Sequence, residues 1–349
     1  MRIAFIIPSQ ADTGPCIVVK ELSAALIAMG HICKIFYFDD IRRLTMPCPA
    51  ERISFRQAID FGQWDIIHSH CLRPDCYIRF HALRRHIPDS VKLVTTLHQP
   101  VSRHAHRLVY NPLRAFAQSL LWRFAIKAFH TVAVLNDDIF RSLPRKIRNK
   151  AAVIHNGRNI CPRNSIADTE DALKIARLRK KYKIAGSISR IVGGKGLHQI
   201  VEALKYLPDF AYVAVGDGPQ MQELKKLALK HGVAERCLWL GYRKNASDYL
   251  SQFDVFVLCS YSEGFPLALI EAAAYGLPVV LSDIPLLKSV IAEPDALFYR
   301  LDDTRHLARQ IRTAQCRKES LGRNIRHRYE QQLTADVMAR NYCNQYTKP

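Results

Sequence analysis

The chain opens on a run of apolar, largely β-branched residues, Ile3 to Ile7, then a polar turn through Gly14 and Pro15. A helical spacing of apolar positions follows from Ile17 to Met29 and stops at Gly30. The same alternation repeats downstream. Short apolar runs at Ile32 to Phe38, Asp65 to His68, Val91 to Thr96, Thr131 to Leu135 and Ala152 to Ile154 predict strands, mostly separated by helical segments. After Asn156-Gly157 the pattern lapses from Arg158 to Glu170, as it does in an interdomain linker. A second series then begins, with strands predicted at Ile184 to Ile188, Ala211 to Val215, Leu238 to Leu240, Val255 to Leu258 and Pro278 to Leu281. Strand alternating with helix predicts an α/β fold with parallel sheets.

At 349 residues the chain exceeds what one core usually serves. Two Rossmann-like domains are therefore expected, residues 1–160 and 161–334, with a cleft between them. A tail at 335–349 has helical spacing at Val337, Met338 and Tyr342. Open parallel sheets bind ligands beyond the carboxyl ends of their strands, so the loops there hold the candidate chemistry.

Three of those loops carry motifs. The segment from Ser262 to Val280 sets two carboxylates eight residues apart, Glu263 in a loop and Glu271 on the following helix, with Gly264, Phe265, Pro266 and Leu267 between them. Pro266 suits a first helical turn, where unpaired N–H groups can receive a diphosphate while glutamates accept bonds from sugar hydroxyls. Upstream, Gly186 precedes Arg190, Lys195 and Gly196. Between these lies Val215-Gly216-Asp217-Gly218-Pro219, followed by Leu240-Gly241-Tyr242. A dinucleotide fingerprint is disfavoured at Gly216-x-Gly218, because Met221 stands where its third small residue belongs.

Together these segments resemble the E-x7-E, G-R-x-x-x-x-K-G and V-G-D-G-P signatures of retaining, family-4-type glycosyltransferases with the GT-B fold. Two departures stand out: Gly193-Gly194 replaces the frequent Pro-Glu before Lys195-Gly196, and the Pro8 to Pro15 loop has a single glycine. The first half is similar more loosely, through that loop, Asp65 to His70, Thr95 to His98 and Val153 to Gly157. The resemblance implies two Rossmann-like domains facing across a cleft, with the tail crossing back to the first. It implies Arg190 and Lys195 on the donor diphosphate, where cations neutralise charge on the leaving group. Glu263 would face the transferred sugar and Glu271 the ribose; His98 would lie near the reacting sugar and Gly14 near the phosphates. Gly186, Gly196, Gly216, Gly241, Gly264, Phe265, Pro266 and Leu267 complete the expected donor site.

Charge bears on the acceptor. Lys plus Arg number 51 against 31 acidic residues, a formal net charge of +20, which favours phosphate-bearing partners. Ten of these cations lie between Arg103 and Lys150, against Asp137 and Asp138 alone. Within that stretch Leu113 to Phe129 reads as a helix that interleaves Phe116, Leu120, Leu121, Trp122, Phe124 and Phe129 with Arg114, Arg123 and Lys127. Two readings stay open, a core-packing helix with a basic outer face and a helix resting on an anionic membrane. No nucleic-acid-binding signature appears, so nucleic acid is not an expected partner.

No apolar run approaches the roughly 20 residues of a membrane span, and Ile3 to Pro8 is too short for a signal peptide. A cytoplasmic location is expected, with peripheral attachment to the inner face of the cytoplasmic membrane left open. The ten cysteines include no C-x-x-C pair and read mostly as buried free thiols. His68 and His70 lack a third ligand, and Asp39-Asp40 and Asp302-Asp303 are adjacent rather than spaced, so neither an essential metal nor a cofactor is expected. The expected activity is retaining transfer of a hexose or N-acetylhexosamine from a nucleotide diphosphate sugar to a glycan acceptor, lipid-linked, in lipopolysaccharide or surface-polysaccharide synthesis. The alternative is a catalytically silent glycosyltransferase-like subunit.

Overall fold

The structure, a computed structural model, describes residues 1–99 and 112–348. It divides into two compact units, Met1–Asn159 with Gln332–Pro349, and Ile160–Gln331. The first unit is built on β1 (Arg2–Gln10), β2 (Ile32–Arg42), β3 (Ala50–Arg52), β4 (Ile66–His70), β5 (Lys92–Leu97), β6 (Thr131–Val134) and β7 (Ala151–Val153). They form one parallel sheet in the order β3-β2-β1-β4-β5-β6-β7. The second unit has β8 (Lys183–Ile188), β9 (Phe210–Val215), β10 (Cys237–Gly241), β11 (Val255–Leu258), β12 (Val279–Ser282) and β13 (Leu297–Tyr299). These too are parallel, ordered β10-β9-β8-β11-β12-β13.

Central strands are buried on both faces, which is why they read as unbroken apolar runs rather than alternating ones. Ile3, Ala4, Phe5, Ile6 and Ile7 are fully buried in β1, and Phe210 to Val215 are buried along all of β9. Each sheet winds outward in both directions from its first strand. The order reverses between β1 and β4 and again between β8 and β11, and the crevice beyond the strand ends at such a point is where open α/β sheets bind ligands.

Local differences from the expected elements have simple causes. The first helix is Gly14–Ala28, starting before Ile17, because Pro15 sits in its first turn, where a missing N–H costs no bond. β3 and β13 went unpredicted; each is three residues long and lies at a sheet edge, and all of β3 is exposed. The helix expected at Leu113 to Phe129 is Pro112–Ala125 with a further turn at Ile126–Ala128. The start of the basic stretch, including Arg103, lies outside the described residues. All ten cysteines are free, but only Cys16, Cys33 and Cys259 are buried, while Cys161 and Cys316 are exposed.

The C-terminal helix Ala335–Tyr346 belongs to the first unit and buries Met338, Ala339, Tyr342 and Tyr346. Thr334 caps it by accepting from the Val337 amide, and Gly157 lets the backbone at Thr334 approach so closely that a Cβ would stand 2.1 Å from its carbonyl oxygen. Among the described residues no helix is long and apolar enough to cross a membrane.

Candidate active site

In the second unit the loops that follow β8 and β11, on either side of the order reversal, are stitched together. The Tyr261 amide donates to Gly194 O at 2.9 Å, and Gln199 Nε2 donates to Cys259 O at 3.2 Å. Gly196 makes this approach possible: its φ is +60°, and a Cβ there would lie 2.2 Å from Cys259 O. Across that junction Lys195 Nζ meets Glu263 Oε1 at 2.6 Å, and the Ser260 hydroxyl donates to the same oxygen at 2.5 Å. Ser282 Oγ in turn donates to Ser260 O at 2.7 Å, tying the group to the end of β12. The Glu263 side chain is only 7% exposed and that of Lys195 26%. A nearly buried carboxylate is thus held by a half-buried ammonium and a hydroxyl, a set aimed at polar chemistry rather than packing.

Arg190, in the loop after β8, is exposed, and among the described residues its guanidinium makes no ion pair. Gly216 closes β9 with a φ of +135°, and a Cβ would come within 1.9 Å of Ser189 O; its amide donates to Gly241 O at 2.8 Å, joining the ends of β9 and β10. Five of the expected residues, Arg190, Lys195, Gly196, Gly216 and Gly241, therefore lie with Glu263 at the carboxyl ends of the adjacent strands β10, β9, β8 and β11, and of these five Lys195 is the one that pairs with Glu263 among the described residues. Gly186 stands apart, inside β8, where the space a Cβ would occupy is filled by the Phe253 ring at 2.2 Å.

Gly264 and the buried Phe265 lead into the helix Leu267–Ala274, which carries Glu271 at 8% exposure. Pro266 is the residue before that helix rather than inside its first turn; with ψ of 107° it is extended, and Leu267 is the first helical position. Ser260 and Gln199 were not singled out in sequence, since a lone Ser at a strand end and a lone Gln on a short helix carry no signal by themselves. Gln199 Oε1 accepts from the Tyr299 hydroxyl and the Asp302 amide, both at 2.9 Å, so one amide orders three segments.

In the first unit Gly14 is the exposed first residue of its helix, directly after the β1 loop. His98 follows β5 and lines a cavity of about 590 Å³ with Pro8, Pro15, Cys71, Gln99 and Trp122 among its walls. His98 Nε2 lies 2.8 Å from Nδ1 of the fully buried His70. His68, also fully buried, is satisfied at both nitrogens, by the Tyr346 hydroxyl and by Thr96 Oγ1, each at 2.7 Å. Burial holds the pKa of His68 and of His98 down to about 3, and burial together with its two histidine neighbours holds His70 well below the ordinary imidazole value. Among the described residues no three His, Cys, Asp or Glu side chains are arranged to hold a metal ion.

Asp75 is a second group that pattern reading missed. It is fully buried on the helix Leu72–Arg84 and accepts from Ser69 at 2.5 Å, Thr95 at 2.8 Å and Trp122 Nε1 at 2.6 Å. Burial raises its pKa to about 7 against the pull of those three donors. In sequence it is one acidic residue in a helical segment, and only the crossing of three elements gives it partners.

The helix Pro112–Ala125 turns Trp122 and Ala125 inward and leaves Leu113, Phe116, Leu120, Leu121 and Phe124 exposed. The apolar stripe therefore does not serve mainly to cover the sheet. The Arg79 guanidinium stacks over Phe124 at 4.6 Å, and Arg123 is exposed beside it.

The chain matches the family models described as Glycosyltransferase Family 4 over residues 14–160 and Glycosyl transferases group 1 over residues 168–329. It is 26% identical to an O-antigen biosynthesis glycosyltransferase, WclY, of Escherichia coli, over 99% of this chain and 98% of that protein. Over 78% of this chain and 70% of the other it is 29% identical to the UDP-Gal:alpha-D-GlcNAc-diphosphoundecaprenol alpha-1,3-galactosyltransferase of Escherichia coli. Its fold is that of Anabaena HepE, solved in complex with UDP and glucose, with a TM-score of 0.77 at 17% identity and 99% coverage of both chains. With one family model on each of its two parallel-sheet units, the chain belongs to the group 1 glycosyltransferases of the GT-B fold and is a glycosyltransferase.

Proposed function

We propose that this glycosyltransferase moves a hexose or N-acetylhexosamine from a nucleotide diphosphate sugar to a lipid-linked glycan acceptor in the assembly of lipopolysaccharide O-antigen or a related surface polysaccharide. The observation that carries the reading is the Lys195–Glu263 pair at the junction of the β8 and β11 loops. An ammonium and the exposed Arg190 supply countercharge to a diphosphate, and a carboxylate beside them accepts bonds from sugar hydroxyls. Glu271, on the next helix, is assigned to the ribose. Gly14 and His98 of the first unit are assigned to the donor phosphates and the reacting sugar on the resemblance described above.

Names of relatives support the acceptor class: one is an O-antigen enzyme and another acts on a diphosphoundecaprenol-linked sugar. Retention of anomeric configuration belongs to the proposal, as does a reaction without essential metal, in which Arg190 and Lys195 stabilise the leaving diphosphate. Attachment to an anionic membrane surface at the cytoplasmic face is the third element. Its support is the exposed apolar face of Pro112–Ala125 flanked by Arg79 and Arg123.

The test is release of nucleoside diphosphate from a panel of UDP-, GDP- and ADP-sugars, with and without membrane lipid extract and with chelator present. Release that names one donor and disappears in Lys195→Ala and Glu263→Ala supports the reading, and the anomeric coupling constant of the product reports retention. Donor binding without release across the panel would move the assignment to a silent subunit.

A further inference from the structure

Of the three clustered histidines, His68 and His70 are fully buried and His98 is partly open to the cavity, and they do not share one environment. His68 has a hydroxyl at each nitrogen, and Thr96 Oγ1 continues to the Tyr342 hydroxyl at 2.7 Å. His70 differs: Nδ1 meets His98 Nε2 at 2.8 Å, while its Nε2, equally buried, has no hydrogen-bond partner among the described residues. The His70 ring packs on His68 at 4.4 Å between centroids and on Phe5 at 6.2 Å.

That single unpaired nitrogen determines the direction of the bond. A neutral imidazole carries one proton, so one ring nitrogen donates and the other accepts. If His98 Nε2–H donated to His70 Nδ1, the proton of His70 would sit on Nε2, an orphaned N–H in a fully buried place. If His70 Nδ1–H donates to His98 Nε2, the unpaired atom is an acceptor. Buried orphan N–H groups are the rarer and costlier of the two. In the second arrangement the proton of His98 is on Nδ1, the nitrogen left over for a ligand in the cavity this ring lines. Both rings are neutral at ordinary pH, as the depressed pKa values of the cluster require.

We infer that His70 is a positioning residue that fixes His98 in its Nδ1–H tautomer, so that His98 acts on a carbohydrate oxygen as a hydrogen-bond donor and not as a general base. The structural part stands on the first unit alone; its kinetic consequence rests on the transfer reaction proposed above. A donor fixed in place serves to hold a hydroxyl or to stabilise charge on an oxygen, and it takes no proton away.

The test is a long-range ¹H–¹⁵N spectrum of the full chain labelled at histidine, with His98 assigned through a His98→Gln variant. The expected spectrum shows His98 protonated on Nδ1 and His70 likewise. In His70→Phe, His98 should shift toward the Nε2–H form and turnover should fall about tenfold with little change in donor KM. His70→Asn, whose amide N–H can stand near the lost Nδ1–H, should restore both. His98 protonated on Nε2 in the wild type overturns the inference, as does a His70→Phe protein with unchanged tautomer and rate. The tautomer spectrum needs no turnover, so a wild-type chain that releases no nucleoside diphosphate counts against the transfer reading while the spectrum still decides this one.

Discussion

Replacing Glu263 by Gln should tighten the binding of the product nucleoside diphosphate while abolishing most turnover. In the structure Glu263 Oε1 holds Lys195 Nζ at 2.6 Å and is itself nearly buried. At that distance and an effective dielectric constant of about 20, the gross attraction is about 6 kcal/mol. Desolvation of the two groups takes back most of it, leaving a net of about 1.5 to 3 kcal/mol, as for other hydrogen bonds between charged groups. A diphosphate that pairs with Lys195 must share or displace this carboxylate. Glutamine keeps the shape and the Ser260 bond but removes the competing charge, so binding should improve by about 1.4 kcal/mol, or about tenfold. Turnover should nevertheless fall about a hundredfold if the carboxylate orients the transferred sugar. Calorimetric titration with UDP, GDP and ADP, at low and moderate salt, reads the first effect, and release from the matching sugar donor reads the second. The gain should vanish in a variant that also carries Lys195→Met. Equal or weaker diphosphate binding by Glu263→Gln would refute the idea that the ion pair competes with the donor.

Three further outcomes follow from other parts of the chain. Leu120 and Phe124 are 60% and 44% exposed, so changing both to Ser removes about 2 kcal/mol of apolar transfer and should cut partitioning onto anionic vesicles about thirtyfold; unchanged cosedimentation would end the membrane reading. On acidification, His68 and His98, held near 3 when folded against an ordinary 6.5, contribute stability that is complete above about 6.5 and is lost as pH falls toward 3. That is about 2 kcal/mol each at pH 5. Asp75 opposes them, because a carboxyl raised to about 7 contributes stability that is complete below its ordinary value and is lost as pH rises through 7. The first unit should therefore lose urea resistance between pH 7.5 and 5, and Asp75→Asn should make the loss steeper by about 2 kcal/mol; a shallower loss would contradict the burial of a protonated carboxyl. Gly186→Ala should destabilise the second unit by about 2 to 3 kcal/mol through collision with Phe253, with partial rescue by Phe253→Leu, read from thermal midpoints; a neutral Gly186→Ala would show that the ring has room to move.

Much of this protein was legible before any coordinates. Unbroken apolar runs separated by helical spacing are what strands covered on both faces require, so the two parallel sheets could be read directly from Ile3 to Ile7, Ala211 to Val215 and their counterparts. Local chemistry was readable wherever a residue type is forced by backbone geometry, as at Gly196 and Gly216, whose positive φ and sub-van der Waals approaches leave no room for a side chain. Edge strands such as β3 were not, because three exposed residues carry no periodicity.

Legible in the chain alone, therefore, were the alternation of elements, the glycine-dependent turns at the strand ends, the presence of Arg190, Lys195 and Glu263 in such loops, and Glu271 on the helix that follows. Tertiary structure alone decided which atoms meet. It set Lys195 against Glu263 from loops 68 residues apart, gave Asp75 three donors from separate elements, joined His70 to His98 and left the apolar face of Pro112–Ala125 uncovered. The physical reason is one of range. Strand and helix signals arise from neighbours a few positions away, whereas hydrogen-bond satisfaction and burial depend on distant segments that only the packing of the sheets brings within reach.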